Sequence, residues 1–449
     1  MTSRLATILN IILFLAISLG YQSCDSTLNI DKPATFIKYI GIDGDQEGVD
    51  VVTDSGGNFY VLGSTTSMSA GKQIFLVMTN PDGVVQWEKV YGDEGDETPK
   101  DLELLDNESL VIAADRVDGT TGESDVIIYV ANTIDGSLLR EPQIAGNPGV
   151  QDHVNSITQI QGGFMVCAYA DLGSYKEAHV MKFDSDFKLV TGSSGWVEVI
   201  SFPGKGNSGS GYDIVPVKAI QYAVDTFYVF GYTNVPLNNT DTPDYNYFIY
   251  VTNSQLYLNS LFIEGPDEAS NEILTSVKPA PNDLGAGFVL NGYTSASGTN
   301  QQDLIVTRIT KRLARALQSN PGDYLYANAL DDSFENPRVM SSGLTSGTNT
   351  RGNVFFSSAS KEFLVLGEEN SQGNENILLT KLDDDFHDVW SGPQAARIFG
   401  GSGVDMAGAV IETNDGNILI CGTMTLGDVT GQRKIVLIKL NHEGMLGGN

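Results

Sequence analysis

A unit of roughly 50 to 75 residues recurs along this chain, each copy reading as four short strands, and such a unit cannot bury its own faces alone. The clearest copy spans residues 48–92. Within it, apolar runs at 49–53, 59–65, 74–78 and 85–91 are separated by turns such as Ser55-Gly56-Gly57-Asn58 and Pro81-Asp82-Gly83. Apolar runs punctuated by Gly, Pro, Asp and Asn describe an antiparallel sheet. The last copy repeats the pattern: 405–413, the turn Asn414-Asp415-Gly416-Asn417, 418–423, 434–440 and the turn Asn441-His442-Glu443-Gly444. It lacks a fourth strand, whereas residues 34–41 read as a fourth strand lacking the other three. The expectation is that 34–41 pair with 434–440 and close a ring that leaves few exposed sheet edges.

Five more second strands, at 110–114, 164–168, 227–231, 288–292 and 363–367, bring the number of copies to seven. Each ends on a small residue or leads into one, which suits strands converging on an axis. Third strands fall at 126–130, 179–183, 247–252, 303–309 and 376–382. Two stretches interrupt the rhythm, 236–245 and the Ser-, Gly-, Thr- and Asn-rich 331–351, and both read as insertions. The fold expected is all-β, a single β-propeller of seven four-stranded blades over residues 34–449, with six or eight blades as the alternatives. With 49 glycines, 15 prolines and 41% hydrophobic residues, the chain has turn formers in quantity and enough apolar side chains for the core.

Net charge limits the partners. The formal charge of −30 repels phosphate backbones and anionic lipid, so nucleic acid is excluded as a ligand and contact with a membrane is expected only through a lipid anchor. Such an anchor has a candidate. Arg4 precedes an apolar run over residues 8–19 that is too short to span a bilayer comfortably and reads as a signal peptide, residues 1–23. Cys24 follows small Ser23 and resembles the acylated cysteine of the bacterial lipobox, although Tyr21 and Gln22 depart from that pattern. Lipidation at Cys24 and a tether over 24–33 are expected. Cys167 and Cys421 occupy the same place in two different copies, too far apart to bridge, and read as small buried hydrophobes.

Several features of the blade repeat together resemble the delta-60-like repeats of Bacteroidota-type propeller lipoproteins. They are an Asp near the first strand, Lys381-Leu382-Asp383 and Lys439-Leu440-Asn441 on third strands, a Trp strand closing on Tyr91-Gly92, and the junction Gly400-Gly401. The resemblance implies the fold and a place in the cell envelope. Asp25 and Asp31 resemble surface-export signals of that group, which implies an outer-membrane lipoprotein displayed at the cell surface.

Catalytic patterns are missing. His153, His179, His387 and His442 lie in different copies without metal-ligand spacing, and Gly206 to Gly211 lacks the nucleophile-elbow arrangement. No enzyme activity and no cofactor are expected. Calcium is the cation that the acidic stretches 43–47, 93–97 and 383–385 would suit, although turn-forming Asp accounts for most of them. Tyr169, Tyr232 and Tyr293 each follow a second-strand terminus, and Tyr245 and Tyr247 adjoin the fourth copy's insertion. Tyr169, Tyr232, Tyr293 and Tyr245 are the candidate ligand face, since tyrosines on a rigid rim suit recognition of a protein partner or a glycan. Two alternatives stand beside that reading. One is a structural subunit of an outer-membrane secretion, assembly or uptake complex; the other is a propeller hydrolase or lyase, which would require His153 and His179 to share a pocket.

Overall fold

A strand that is apolar on both faces must be covered on both sides, and the second and third strands of the repeat are of this kind. All seven residues of Phe59–Thr65 are buried, as are all seven of Asn376–Leu382, whereas most of Val85–Tyr91 lies open to water. Sheets built this way must stack face to face, and a ring is the arrangement that leaves none of them uncovered.

The computed structural model describes residues 35–67, 71–105, 108–190, 198–200, 202, 211–236, 244–256, 258–264, 270–280, 287–296, 301–309, 324–326, 334–345, 352–357, 360–370, 374–391, 395–427 and 431–447. Its strands form seven sheets. Blade 1 holds Gln46–Thr53, Phe59–Thr65, Gln73–Thr79 and Val85–Tyr91; blade 2 holds Asp96–Leu105, Ser109–Val117, Ser124–Asn132 and Gln143–Ala145. Blade 3 holds Gln151–Ile160, Gly163–Asp171, Lys176–Asp184 and Glu198–Val199. Blade 4 holds Ile214–Ala223, Thr226–Thr233, Asn246–Thr252 and Leu258–Glu264, extended by a parallel fifth strand, Tyr324–Tyr326. Blade 5 holds Ser270–Ala280, Gly287–Ala296, Gln301–Ile309 and Phe334–Thr345; blade 6 holds Asn353–Ser357, Glu362–Glu369, Asn376–Leu382 and Ala396–Phe399. Blade 7 takes Met406–Glu412, Ile418–Thr425 and Arg433–Leu440 from the C-terminal part and Phe36–Ile40 from the N-terminal part. First strands of successive blades touch one another around the full circle, blade 7 meeting blade 1, so they surround the axis.

The closing strand pairs as expected, antiparallel, with Phe36 opposite Lys439 and Ile40 opposite Ile435. One expectation fails. The stretch 331–351 is not simply an insertion, because Phe334–Thr345 is the fourth strand of blade 5, paired with Gln301–Ile309. Ladder hydrogen bonds use the backbone, and an outer strand has only one face to cover, so its side chains carry a weak apolar signal. The expected signal peptide, Cys24 and the tether lie outside the described residues, as does most of the Gly206 to Gly211 loop.

The small residue at each second-strand end has a definite use. Six of the first strands bulge opposite it: Gly48/Asp50 faces Gly63, Pro99/Asp101 faces Ala114, and Val154/Ser156 faces Ala168. Pro216/Lys218 faces Gly231, Leu274/Ser276 faces Gly292, and Ala407/Ala409 faces Gly422. The bulge pushes a carbonyl toward the partner strand. A Cβ on Gly63 would stand 2.4 Å from the Glu47 oxygen, and one on Gly231 would stand 2.2 Å from the Val215 oxygen.

Bulges also expose backbone groups, and neighbouring blades satisfy them. The N–H groups at the bulges of Gly48, Val154 and Ala407 donate to Thr423 Oγ1 (3.0 Å), Asp115 Oδ1 (2.7 Å) and Glu368 Oε1 (2.9 Å), each on the second strand of the preceding blade. Around the axis, Leu102 N–H donates to Asp50 Oδ2 at 3.0 Å, and Asp101 Oδ2 accepts Ile157 N–H at 2.7 Å and the Lys218 ammonium at 2.9 Å. Burial is the main force raising the Asp50 carboxyl well above the ordinary range, helped by the charge of Asp101 beside it. Burial and the neighbouring Lys218 charge together lower the Lys278 ammonium.

Junctions between blades follow a second rule. A buried polar side chain starts the first strand and holds the preceding loop: Asp405 Oδ2 accepts Gly401 N–H at 2.7 Å, and Asp152 Oδ2 accepts Asn147 N–H at 2.7 Å. Space for it comes from the glycine closing the previous strand, since a Cβ on Gly92 would lie 2.3 Å from Glu97 and one on Gly400 would lie 2.6 Å from Asp405.

Candidate functional site

Second strands end, and blades connect, on one face of the ring; tight turns occupy the opposite face. On the junction face the residue after the small one usually serves the next blade. Ser64, Asp115, Tyr169, Tyr232, Tyr293, Glu368 and Thr423 hold this position. Asp115, Glu368 and Thr423 accept the bulge N–H already described. Pro216 stands at the bulge following Tyr169 and has no N–H to offer, so Tyr169 carries no such duty.

Tyr232 and Tyr293 occupy identical local sequence, Gly-Tyr-Thr, yet end in different places. Tyr293 is fully buried, and its hydroxyl accepts the Glu368 N–H at 3.0 Å. Gly367 makes the room, for a Cβ there would lie 3.1 Å from that hydroxyl. Beside Tyr232 the corresponding space at Gly292 is taken by Tyr247, whose hydroxyl would lie 2.7 Å from a Cβ at Gly292. Tyr232 therefore stays half-exposed while Tyr247 is buried. Tyr293 is thus corrected from a ligand-face residue to a core residue; Tyr169, Tyr232 and Tyr245 remain half-exposed together.

These three tyrosines surround Asp213, a residue that the repeat pattern alone did not single out. Asp213 immediately precedes the first strand of blade 4. Its backbone is fixed by Asn234, whose Oδ1 accepts the Asp213 N–H at 2.7 Å, and its carboxylate accepts the Lys176 N–H at 2.8 Å and the Tyr245 hydroxyl at 2.5 Å. The rings of Tyr232 and Tyr245 meet edge to face, 5.7 Å apart at 71°. Across the cluster, the Tyr169 ring lies 5.1 Å from that of His153, and the Lys176 ammonium sits 5.3 Å from the Tyr169 centroid. His153 Nδ1 is 3.0 Å from Asp115 Oδ2, which also faces the Lys100 ammonium at 3.3 Å.

Electrostatics keep the tyrosines protonated. Burial pushes Tyr232 up to about 12, with the Asp213 charge adding to it. Burial also raises Tyr245, reinforced by its hydrogen bond to Asp213, and raises Tyr169, reinforced by Tyr232 and the surrounding carboxylates. All three are phenols at physiological pH, able to donate and accept. The Tyr169 and Tyr232 hydroxyls have no hydrogen-bond partner among the described residues.

The two histidines of blade 3 do not share a pocket. His153 lies opposite Tyr169, and His179 lies opposite Ala168, the adjacent position, so the imidazoles project to opposite faces of the sheet. His179 is buried beside Asp152 (3.6 Å) and Glu177 (3.1 Å). Burial lowers its basicity, but hydrogen bonds to the two carboxylates outweigh that and raise it.

Acidic stretches 93–97 and 383–385 supply turn contacts and an ion pair. Asp383 Oδ1 accepts the N–H groups of Asp385 (3.0 Å) and His387 (2.8 Å), a turn that Asp184 repeats with Asp186 and Lys188. Asp93 accepts Arg116 at 2.6 Å. Among the described residues no three His, Cys, Asp or Glu side chains gather in a way that would hold a metal ion.

No family model matches this chain, and no curated protein matches it. Solved structures do align. The β-propeller domain of the Trilobed protease from Pyrococcus furiosus matches at 10% identity and a TM-score of 0.43, over 92% of this chain and 100% of that one. An α-L-arabinofuranosidase of Fusarium graminearum, in complex with arabinobiose, matches at 8% identity and 0.45, over 78% and 98%. An α-L-arabinanase of Penicillium chrysogenum matches at 11% identity and 0.44, over 77% and 93%. The expectation of no enzyme activity is therefore withdrawn, because hydrolases are among the chains that align with this one. The inference from missing motifs was unsound for a ring, where groups from separate blades converge without any local spacing. At this identity and these TM-scores the alignments assign no reaction and no substrate to the chain.

Proposed function

We propose that this chain is an exported recognition module, anchored in the outer membrane through a lipid on Cys24 and displayed at the cell surface. Its ligand-binding mouth is the junction-face cluster of Tyr169, Tyr232, Tyr245 and Asp213. The observation that carries this reading is the pair of half-exposed tyrosines, Tyr169 and Tyr232, whose phenol hydroxyls have no partner among the described residues, on a scaffold that holds their backbones rigidly. Topology supports it. Phe36–Ile40 runs toward the junction face, so the chain before Thr35 departs from the turn face. A tether there would direct the mouth away from the membrane.

The test is binding by the soluble chain, residues 34–449, to glycan arrays and to solubilised envelope proteins, compared with Tyr169→Ala and Tyr232→Ala. Ligands lost by both variants at unchanged melting temperature support the mouth; ligands retained by both place recognition elsewhere. Incorporation of labelled palmitate that disappears in Cys24→Ala tests the anchor.

A further inference from the structure

The mouth already holds a cation, and it is the chain's own. Lys176 places its ammonium over the face of Tyr169, 5.3 Å from the centroid, and forms no ion pair with a carboxylate among the described residues. The ring face is thus a seat for positive charge. Around it stand Asp213, Asp115 and Asp171, all close enough to act electrostatically on the Tyr169 hydroxyl. On the far side Tyr232 and Tyr245 meet at 71°, presenting one face and one edge in place of a flat shelf.

We propose that the mouth recognises an ammonium or guanidinium group on a basic segment of a partner protein, and that Lys176 is a tethered competitor for the same seat. Sugars bind by laying an apolar ring face on a coplanar aromatic platform, which mutually tilted tyrosines do not offer. Walls of tilted aromatic rings closed by a carboxylate are suited to a cation, whose attraction to the ring quadrupole gains from partial desolvation. The hydroxyls of Tyr169 and Tyr232, unpartnered among the described residues, would accept from the incoming N–H groups. The chain's charge of −30 would draw a basic partner in from a distance and repel an acidic one.

This inference rests on the mouth assigned above, and the experiment separates the two. A fluorescein-labelled hexalysine peptide and neutral oligosaccharides are titrated against the wild-type chain, Tyr169→Ala, Tyr232→Ala and Lys176→Ala, with thermal melts confirming that each variant folds. Hexalysine is expected to bind in a salt-sensitive manner and to weaken about tenfold in each tyrosine variant. Lys176→Ala is expected to bind it about threefold more tightly, because the tethered occupant is gone. Hexalysine binding that the tyrosine variants leave unchanged would be general attraction to an acidic surface and would overturn the inference, as would Lys176→Ala binding equally or more weakly. Neutral oligosaccharides that bind in a tyrosine-dependent way while hexalysine does not would refute the cation and keep the mouth. If no probe and no envelope ligand responds to the tyrosines, both fail.

Discussion

Ring closure depends on five residues, and Ile40 is the position at which to test it. Ile40 is 3% exposed, whereas Tyr39 beside it on the same strand is 50% exposed. Ile40 pairs with Ile435 and packs in the blade 7–blade 1 core with Val51, Phe75 and Leu437. Ile40→Ala removes three carbon groups from that core, about 2.4 kcal/mol of transfer free energy at about 0.8 kcal/mol each. The space left between two blades adds to this, so a total loss of about 3 kcal/mol is expected. Tyr39→Ala should cost no more than about 0.5 kcal/mol. Urea unfolding followed by tryptophan fluorescence measures both, with the slope checked for constancy. A harsher variant, Ile40→Asp, buries an unpaired carboxylate and should detach the strand, so that the amides of Arg433–Leu440 that face it, but not those bonded to Ile418–Thr425, lose hydrogen-exchange protection. If Ile40→Ala moves the midpoint no further than Tyr39→Ala, and Ile40→Asp leaves that protection intact, the closing strand contributes nothing to the ring and the reasoning fails.

Other expectations follow from the junctions and the core. Asp405→Ala leaves the N–H groups of Gly401 and Thr425 without their acceptor and should cost about 1–3 kcal/mol by urea unfolding, while Asp405→Asn should recover part of it. Burial lifts the Glu97 carboxyl to about 7 from an ordinary 4.5. Between those values the folded chain binds more protons than the unfolded one, so this group's contribution to stability falls as pH rises from about 4.5 to about 7 and then levels off. Glu97→Gln should remove that slope and be more stable than wild type at pH 8, as thermal melts across pH would show. Burial raises the Cys167 thiol to about 12, and Cys421 is equally enclosed. Neither should react with an aromatic disulfide reagent at pH 8 until denaturant is added, and labelling of the native chain lacking Cys24 would contradict their placement.

Much of the fold could be read from the sequence because second strands such as Phe363–Gly367 in Glu362–Glu369 are covered on both sides and must be apolar throughout. Closing glycines could be read too, though their reason lies in buried partners such as Glu97 and Asp405, contributed by the following strand. Phe334–Thr345 escaped because an outer strand makes few demands on its side chains. Left-handed turn positions were only partly legible: Gly83 and Gly444 announce theirs, whereas Phe187 and Phe386 adopt the same backbone with φ of 59° and 60°. Burial of Phe386 against blade 6 offsets the strain of that conformation. At the mouth, one local pattern gave Tyr232 and Tyr293 the same expectation. Their fates diverge because Tyr247 fills the gap beside Gly292, whereas beside Gly367 the shorter Leu304 leaves room for the Tyr293 hydroxyl. That information resides on the neighbouring strand of each tyrosine's own blade, where Tyr232 faces Tyr247 and Tyr293 faces Leu304, and is missed when one strand is read by itself. Asp213 was missed for the same reason, since its partners Lys176 and Tyr245 come from two different blades.

The direction of the closing strand has a mechanical consequence. A pull on a ligand at the junction face, resisted by the chain where it leaves the turn face, acts nearly along Phe36–Ile40. Its hydrogen bonds to Arg433–Leu440 then carry the force together, in shear, as a lap joint does. Applied sideways at Thr35, the same force would open them one after another, and far less of it would be needed.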